Sequence, residues 1–378
     1  MPRFLHTADW QIGRQYGRFD QEDAAVLADA RFTAIETLAR LAATEKVDAV
    51  LVAGDVFDSQ TVADRTLHRS FQAMAGYSGP WIVLPGNHDA ALAESVWTRA
   101  ARIDAIPDNV RVLSTPEAAI FEQAGFAVLP APLTQRQTWQ DLTQWFDQAD
   151  TPDGLLRIGL AHGSMEGQLP DSVDSPNPIA ADRAAAARLD YLALGDWHGC
   201  KQIDDRTWYS GTPEQERFKD NGAGQVLIVE LAAPGAEPTV TPHPIGRHGW
   251  YSLHHSLAVA SDLDELLVAI AALPAQSVVD IRIDGRLDLA GHARLKWALN
   301  AAAGRHRSLQ AHRDGLLLEP SDDDIAALQA DGYVGDVVQD LRERQLTATE
   351  QVGRETAGQA LAILAGMLQD AQRAKDNP

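Results

Sequence analysis

Ala49-Val50-Leu51-Val52-Ala53-Gly54-Asp55-Val56-Phe57-Asp58 is the stretch that decides the fold. A short apolar run reads as a strand, and Gly54 ends it just before a pair of aspartates. Four other patches are built the same way: Asp9-Trp10-Gln11, Gly86-Asn87-His88-Asp89, His162-Gly163 and Gly195-Asp196-Trp197-His198. Each follows an apolar or β-branched run, at Phe4 to Ala8, Trp81 to Leu84, Leu156 to Leu160 and Tyr191 to Leu194. A parallel sheet therefore delivers all five groups of side chains to one edge, where α/β proteins bind ligands. The mixture of Asp, Asn, Gln and His points to a two-metal site.

Helical patterns separate the strands. About Glu22 to Thr44 carries Phe32, Ile35, Leu38 and Leu41 on one face, and about Val62 to Ala75 forms a second helix. Strands alternating with helices imply a layered α/β domain, with a further strand at Ala127 to Leu129 and closing strands at Leu227 to Glu230 and Thr239 to Pro242. The Pro-, Gly- and Ala-rich segment Ala232 to Gly249 sets a boundary near its end, giving a first domain over residues 1–248.

Beyond it, Ser252 to Val259, a helix near Asp262 to Ala272 and the alternating Val279-Asp280-Ile281-Arg282-Ile283 suggest a small α+β domain over 249–318. Residues 319–378 read as helical. Ser321 and Asp324 form a capping-box variant, and Leu361, Leu364 and Leu368 lie at helical spacing. That stripe fits either a partner or the chain's own body.

Forty-five per cent hydrophobic residues in a chain of 378 make a globular protein of two or three domains. No apolar stretch reaches the length of a membrane span, and Met1 runs into the first strand without an apolar signal region, which reads as cytoplasmic. The single cysteine, Cys200, excludes an internal disulfide and agrees with a reducing compartment. Net charge is −21, from 32 basic against 53 acidic residues. A nucleic-acid binder ordinarily has a basic excess. Any DNA binding here rests on metal ions with a local basic patch, or on a partner protein. Arg286, Arg294, Lys296, Arg305, Arg307 and Arg313 form such a patch, either following a phosphate backbone or lining a solvated helix face.

The order and content of the five patches, with Tyr209-Ser210-Gly211-Thr212-Pro213 after them, resemble the calcineurin-like metallophosphoesterases. Within that family the likeness is to the nuclease component of the bacterial SbcCD and archaeal and eukaryotic Mre11-Rad50 type, over roughly the first 240 residues. The resemblance implies a metallophosphoesterase β-sandwich flanked by helices, followed by the small α+β cap and a helical tail. It implies a DNA exonuclease or endonuclease using two divalent metal ions, Mn²⁺ or Mg²⁺. Implied partners are DNA, an SMC-like ATPase of the SbcC/Rad50 kind and a second copy of the chain.

By the family pattern Asp55 bridges the metals. Asp9, Gln11 and His198 complete the first, and Asn87, His162 and Asp196 the second. His88 is the implied catalytic histidine, with Asp89 or Asp58 fixing its tautomer. A phosphodiesterase or phosphatase for a small molecule or phosphoprotein would use the same cluster. A non-catalytic module could keep the fold with a degraded site. His6, at the opposite strand parity to Asp9, reads as a buried, hydrogen-bonded residue, and Cys200 as a small packing residue. Trp10 and Trp197 fit either base stacking or packing around the site.

Two positions depart from the family pattern. Gln11 and Asp196 stand where histidines are usual, so two imidazole donors become two oxygen donors. Either Gln11 ligates a metal or a water takes its place. Three carboxylates instead of two favour Mn²⁺ or Mg²⁺ over nitrogen-loving metals and make an activated water less acidic. The optimum for phosphodiester hydrolysis should therefore be alkaline-shifted. In Asp196→His the pH–rate profile should move to lower pH, and an unmoved profile would remove the charge argument.

Overall fold

A computed structural model describes residues 2–167, 176–319 and 332–376. The chain forms two compact units, Met1–His248 and Gly249–Pro378. In the first, β1 (Arg3–Thr7), β2 (Ala49–Val52), β3 (Trp81–Val83) and β4 (Val110–Val112) run parallel. A second sheet is built on β5 (Ala119–Phe121), β6 (Phe126–Ala131), β7 (Leu156–His162), β10 (Tyr191–Gly195), β11 (Lys201–Gln202) and β12 (Thr207–Tyr209), with its strands in the order β11-β12-β10-β7-β6-β5. A ribbon of β8 (Ser164–Met165) and β9 (Pro178–Ile179) follows β7, and β13 (Gln225–Glu230) with β14 (Thr239–Pro244) extends the first sheet antiparallel beside β1.

Strand periodicity explains the layers. On β1 and β2, Phe4, Ala49 and Leu51 point between the sheets and meet Phe126, Val128, Ile158 and Tyr191. Their neighbours Leu5, Val50 and Val52 face the other way, onto Phe32, Ile35 and Leu38 of α1 (Gln21–Thr44) and Leu67 and Phe71 of α2 (Asp64–Ala73). Both faces are buried, so these strands read as continuous apolar runs rather than alternating ones. α1 starts at Asp20, whose side chain accepts from the Asp23 amide at 2.8 Å. The outer face of the second sheet is covered by Phe146 and by Ala184 of α4 (Arg183–Ala186); α3 (Val96–Arg102) closes the first sheet's helical layer. The product is a layered α/β sandwich flanked by helices.

The second unit is a parallel three-stranded sheet, β15 (Trp250–Leu257), β16 (Val278–Leu287) and β17 (Ser308–Leu318). Its crossovers are α5 (Ala260–Ala272) and α6 (Leu289–Ala303). Val279, Ile281 and Ile283 are buried with Leu263, Leu266, Leu295 and Leu299 of the helices. The sequence reading missed β17 and α6, because their charged residues stand out more than their apolar ones. Helices Tyr333–Thr347 and Gln351–Asp376 follow. Leu361 is buried, and Leu368 packs beside Ala365 and Leu289, so part of the leucine stripe covers its own unit. The capping box expected at Ser321 and Asp324 lies outside the described residues. Among the described residues no helix is long and apolar enough to cross a membrane.

His6 occupies the inter-sheet layer. Its Nδ1 accepts from the Tyr191 hydroxyl at 2.9 Å and its Nε2–H donates to the Leu194 carbonyl at 3.2 Å. Burial pushes this imidazole down to about 3, against the pull of the Leu194 carbonyl. An unfolded chain takes up a proton near the ordinary value of 6.5, which the folded one refuses until about 3. Stability from this group is complete above that window and falls as the pH drops through it, by about 1.4 kcal/mol per pH unit for one proton. His6→Gln, which can keep both hydrogen bonds, should flatten the pH dependence of the unfolding free energy by one proton between pH about 6 and 4. An unchanged slope would mean that His6 is not held neutral.

Candidate metal centre

The five patches leave the carboxyl ends of β1, β2 and β3 in one sheet and of β7 and β10 in the other, not of the single sheet expected, and the backbone fastens them there. Beyond the sheet, the Asp9 amide donates to the Gly54 carbonyl at 3.0 Å and the Gln11 amide to the Asp55 carbonyl at 3.0 Å. The Ile12 amide reaches Val56 at 2.9 Å, and the Asp58 amide returns to Ile12 at 2.9 Å. Asp9, Gln11, Asp55 and Asp196 all have positive φ, at 54°, 50°, 54° and 96°. A left-handed non-glycine residue costs roughly 1–2 kcal/mol, and such strain concentrates at functional sites.

The side chains converge. Ligand atoms of Asp9, Asp55 and His162, all buried, lie within 4.8 Å of one another. Asp55 Oδ1 accepts from the His88 amide at 2.9 Å and stands 3.5 Å from His162 Nε2, while Oδ2 accepts from Gln11 Nε2 at 2.7 Å. The Asp196 amide donates to both Asp9 oxygens, at 3.1 and 3.2 Å, and Asp196 Oδ1 lies 3.5 Å from Asn87 Nδ2 and 3.7 Å from His162 Nε2. His198 turns its Nδ1 away, to Glu216 at 2.6 Å.

Electrostatics show what this cluster lacks. Burial, reinforced by Asp55 and Asp196, raises Asp9 to about 6 despite His198 and His162. Burial works against a proton on His162, yet Asp55, Asp9 and Asp196 hold it up to about 9. The cluster attracts positive charge. Gln11 Oε1, Asn87 Oδ1 and His162 Nε2 are buried without a hydrogen-bond partner, whereas buried polar atoms are ordinarily satisfied. His162 donates Nδ1–H to the Ala53 carbonyl at 2.8 Å, which leaves Nε2 as the ring's ligand atom. Carboxylate and amide oxygens with imidazole nitrogen fit a divalent cation.

The His88 surroundings differ from expectation. His88 Nδ1 lies 2.8 Å from the main-chain carbonyl of Asp58, and neither the Asp58 nor the Asp89 carboxylate holds the ring. Asp58 Oδ1 instead lies 3.5 Å from Arg14. Asp89 is fully buried and accepts from the Gly86 amide at 2.7 Å and the Phe57 amide at 3.1 Å. These tight turns leave amides needing an acceptor, so Asp89 braces two ligand loops instead of orienting a base. Burial, then Asp55, raises it to about 7 against those two amides. Glu216 and Arg31 were missed by the sequence reading. A basic residue among Leu27, Ala30, Ala34 and Ile35 on the buried face of α1 was the available signal.

Trp10 donates to Thr7 Oγ1 at 3.0 Å and packs edge-on to Trp81 in the core, while Trp197 is partly buried against the second sheet's outer cluster. Cys200 is half-buried beside the inter-sheet core, with its thiol pushed up by burial. The basic patch of the second unit is partly neutralised within it. Arg286 pairs with Glu319 at 3.1 Å, Arg294 with Asp264 at 2.6 Å, and Arg305 donates to the Ile270 and Ala271 carbonyls at 2.7 and 3.0 Å.

The calcineurin-like phosphoesterase family profile matches residues 2–200, more than half of the chain and every patch of the centre. The chain belongs to the calcineurin-like phosphoesterases. Among its relatives, the SbcD component of the SbcCD nuclease of Bacillus subtilis is 24% identical over 273 residues, covering 63% of this chain and 68% of that protein. The uncharacterized metallophosphoesterase YhaO of the same organism is 24% identical over 247 residues, covering 60% and 57%. The DNA double-strand break repair protein Mre11 of Aeropyrum pernix is 26% identical over 274 residues, covering 67% and 63%. The aligned region thus spans about three fifths of these relatives. The family binds divalent metals, and in this chain Asp9, Asp55 and His162 converge as a triad able to hold one.

Glycine is required where loops touch the ligands. A Cβ at Gly54, where φ is +91°, would sit 2.2 Å from His162 Nδ1. Gly54→Ala should lose both backbone comfort and the His162–Ala53 hydrogen bond, lowering the melting temperature and abolishing tight Mn²⁺ binding in calorimetric titration. Gly125, at φ +77° with nothing within 4 Å of its added Cβ, is the control. Gly125→Ala should cost only about 1–2 kcal/mol, the ordinary cost of a left-handed non-glycine residue, and leave metal binding intact.

Proposed function

We propose that this phosphoesterase is a DNA phosphodiesterase, cutting DNA at or near ends as an exonuclease or endonuclease. It uses two divalent cations, Mn²⁺ in preference to Mg²⁺. It acts in the cytoplasm as a homodimer with an SMC-like ATPase of the SbcC/Rad50 kind in end processing. The observation that carries the reading is the convergence of Asp9, Asp55 and His162 with three unsatisfied ligand atoms among seven residues from five loops. The names of the SbcD and Mre11 relatives support DNA as substrate.

Asp9, Gln11, Asp55 and His198 would hold one cation, and Asp55, Asn87, His162 and Asp196 the other. Bound divalent cations neutralise phosphoryl oxygens and make water a nucleophile near neutral pH. Three carboxylates against two such cations leave one positive charge, which complements a singly charged phosphodiester better than a doubly charged monoester. His88 stands at the rim. With Nδ1–H given to the Asp58 carbonyl, Nε2 is the ring atom left for the reaction, and in the doubly protonated ring it would give its proton to the leaving oxygen.

End-labelled linear single- and double-stranded DNA, assayed with Mn²⁺ beside bis-p-nitrophenyl phosphate, tests the reading. Cleavage of DNA is expected, and His88→Ala should keep both metals while turnover falls about 10²–10⁴-fold. Native-rate cleavage by that variant would overturn the role of His88. Hydrolysis of the small ester alone would move the substrate to small molecules or make the partner obligatory. Hydrolysis of neither would leave a binding module with a disabled centre.

A further inference from the structure

We infer that Glu216 is a positioning residue for His198, and that Arg31 anchors Glu216 while fastening the Asp9–Gln11 loop, so that one buried ion pair sets two ligand loops. The inference rests on the proposed reading of His198 as a metal ligand. Glu216 lies well past the matched family region, in the segment that follows β12. Its side chain is 1% exposed, as is that of Arg31.

The two carboxylate oxygens have separate tasks. Oε1 meets His198 Nδ1 at 2.6 Å and Arg217 Nε at 3.1 Å. Oε2 meets Arg31 at 2.5 Å and Arg14 at 3.1 Å. Arg31 donates its other terminal nitrogen to the Trp10 carbonyl at 2.6 Å and its Nε to the Tyr16 hydroxyl at 2.8 Å. Trp10 stands between Asp9 and Gln11, so the guanidinium grips the β1 loop at its centre and, through Glu216, the β10 loop at His198.

A carboxylate on Nδ1 does two things for an imidazole. It selects the tautomer whose Nε2 lone pair is free, and it makes that lone pair more basic. His162 takes the same tautomer from a neutral carbonyl, that of Ala53. The two histidines therefore differ in donor strength, and the anionic support lies on the one that shares its cation with Gln11, the weakest ligand of the set. Burial opposes ionisation of Glu216, but His198, Arg31 and Arg14 hold its carboxyl well below the usual range.

A double-mutant cycle on Mn²⁺ binding tests this without reference to turnover. Wild type, Glu216→Gln, His198→Ala and the double variant are titrated calorimetrically, with thermal melts as the check on folding. Glu216→Gln should weaken one of the two Mn²⁺ affinities about 10–100-fold in the wild-type background and add nothing in His198→Ala. Equal losses in both backgrounds would mean general damage, and no loss in the wild type would mean no positioning; either overturns the inference. If His198→Ala itself leaves both affinities intact, the metal-ligand reading fails first and takes the inference with it. Should Glu216→Gln not fold, Glu216→Asp keeps the charge beside Arg31, withdraws the oxygen from His198 and carries the same expectation. Nitrogen-15 spectra of the Mg²⁺-loaded wild type should place the His198 proton on Nδ1, and a proton on Nε2 would overturn the assignment.

Discussion

Mutual repulsion among Asp9, Asp55 and Asp196 is the constraint around which the first unit is arranged. Two unit charges 4 Å apart interact by about 4 kcal/mol at the effective dielectric of a protein surface, and more where water is excluded. Side chains alone would relax such a cluster by turning outward. The backbone prevents that. Amides of Asp196 and His88 fix the Asp9 and Asp55 carboxylates, and left-handed turns at four ligand positions aim the side chains inward. The loops after β1 and β2 are hydrogen-bonded to each other past the sheet edge. The strain and the repulsion are both local, and a divalent cation relieves the second while the sandwich sustains the first.

Gln11 and Asp196 alter this balance in opposite ways. Gln11 gives one amide hydrogen to Asp55 Oδ2, which partly neutralises that carboxylate and leaves Gln11 Oε1 without a hydrogen bond. Asp196 adds a third carboxylate to the cluster. The same main chain that presents Asp196 also donates to Asp9, so the extra carboxylate arrives with its own compensating dipole. The centre becomes harder and more anionic, and its geometry stays under backbone control.

The five patches were legible because each is local: an apolar run, a tight turn and polar side chains within a few residues. The same is true of the strands, whose two buried faces give unbroken apolar runs. What was illegible is long-range. Glu216 acts on His198 from 18 positions away and on Arg31 from 185, and neither spacing leaves a periodic trace. The fate of Asp89 depended on which amides the turns at Gly86 and Phe57 left unpaired, which only the folded loops determine. In the second unit, β17 and α6 were hidden because charge drew attention from their apolar positions. Arg305, which fits either a phosphate backbone or a solvated helix face in sequence, closes the carboxyl end of α5.

The charge of −21 need not oppose a phosphodiester substrate. At physiological ionic strength the screening length is about 8 Å, so most exposed carboxylates are invisible to a phosphate at the centre. What that phosphate meets is set within one screening length by the ligand cluster, its cations and the ion pairs around it. There Glu216 is balanced by Arg31, Arg14 and Arg217, and burial excludes water from the Arg31–Glu216 pair. Long-range steering toward DNA is what an acidic chain gives up, because the summed field repels a polyanion before contact. For the DNA substrate proposed above, capture would fall to a surface outside this chain, or to contacts close enough to outcompete a screened repulsion. The same reasoning allows Arg286 and Arg294 of the basic patch to be consumed by ion pairs within the second unit, because ligation rather than net charge supplies attraction at the centre.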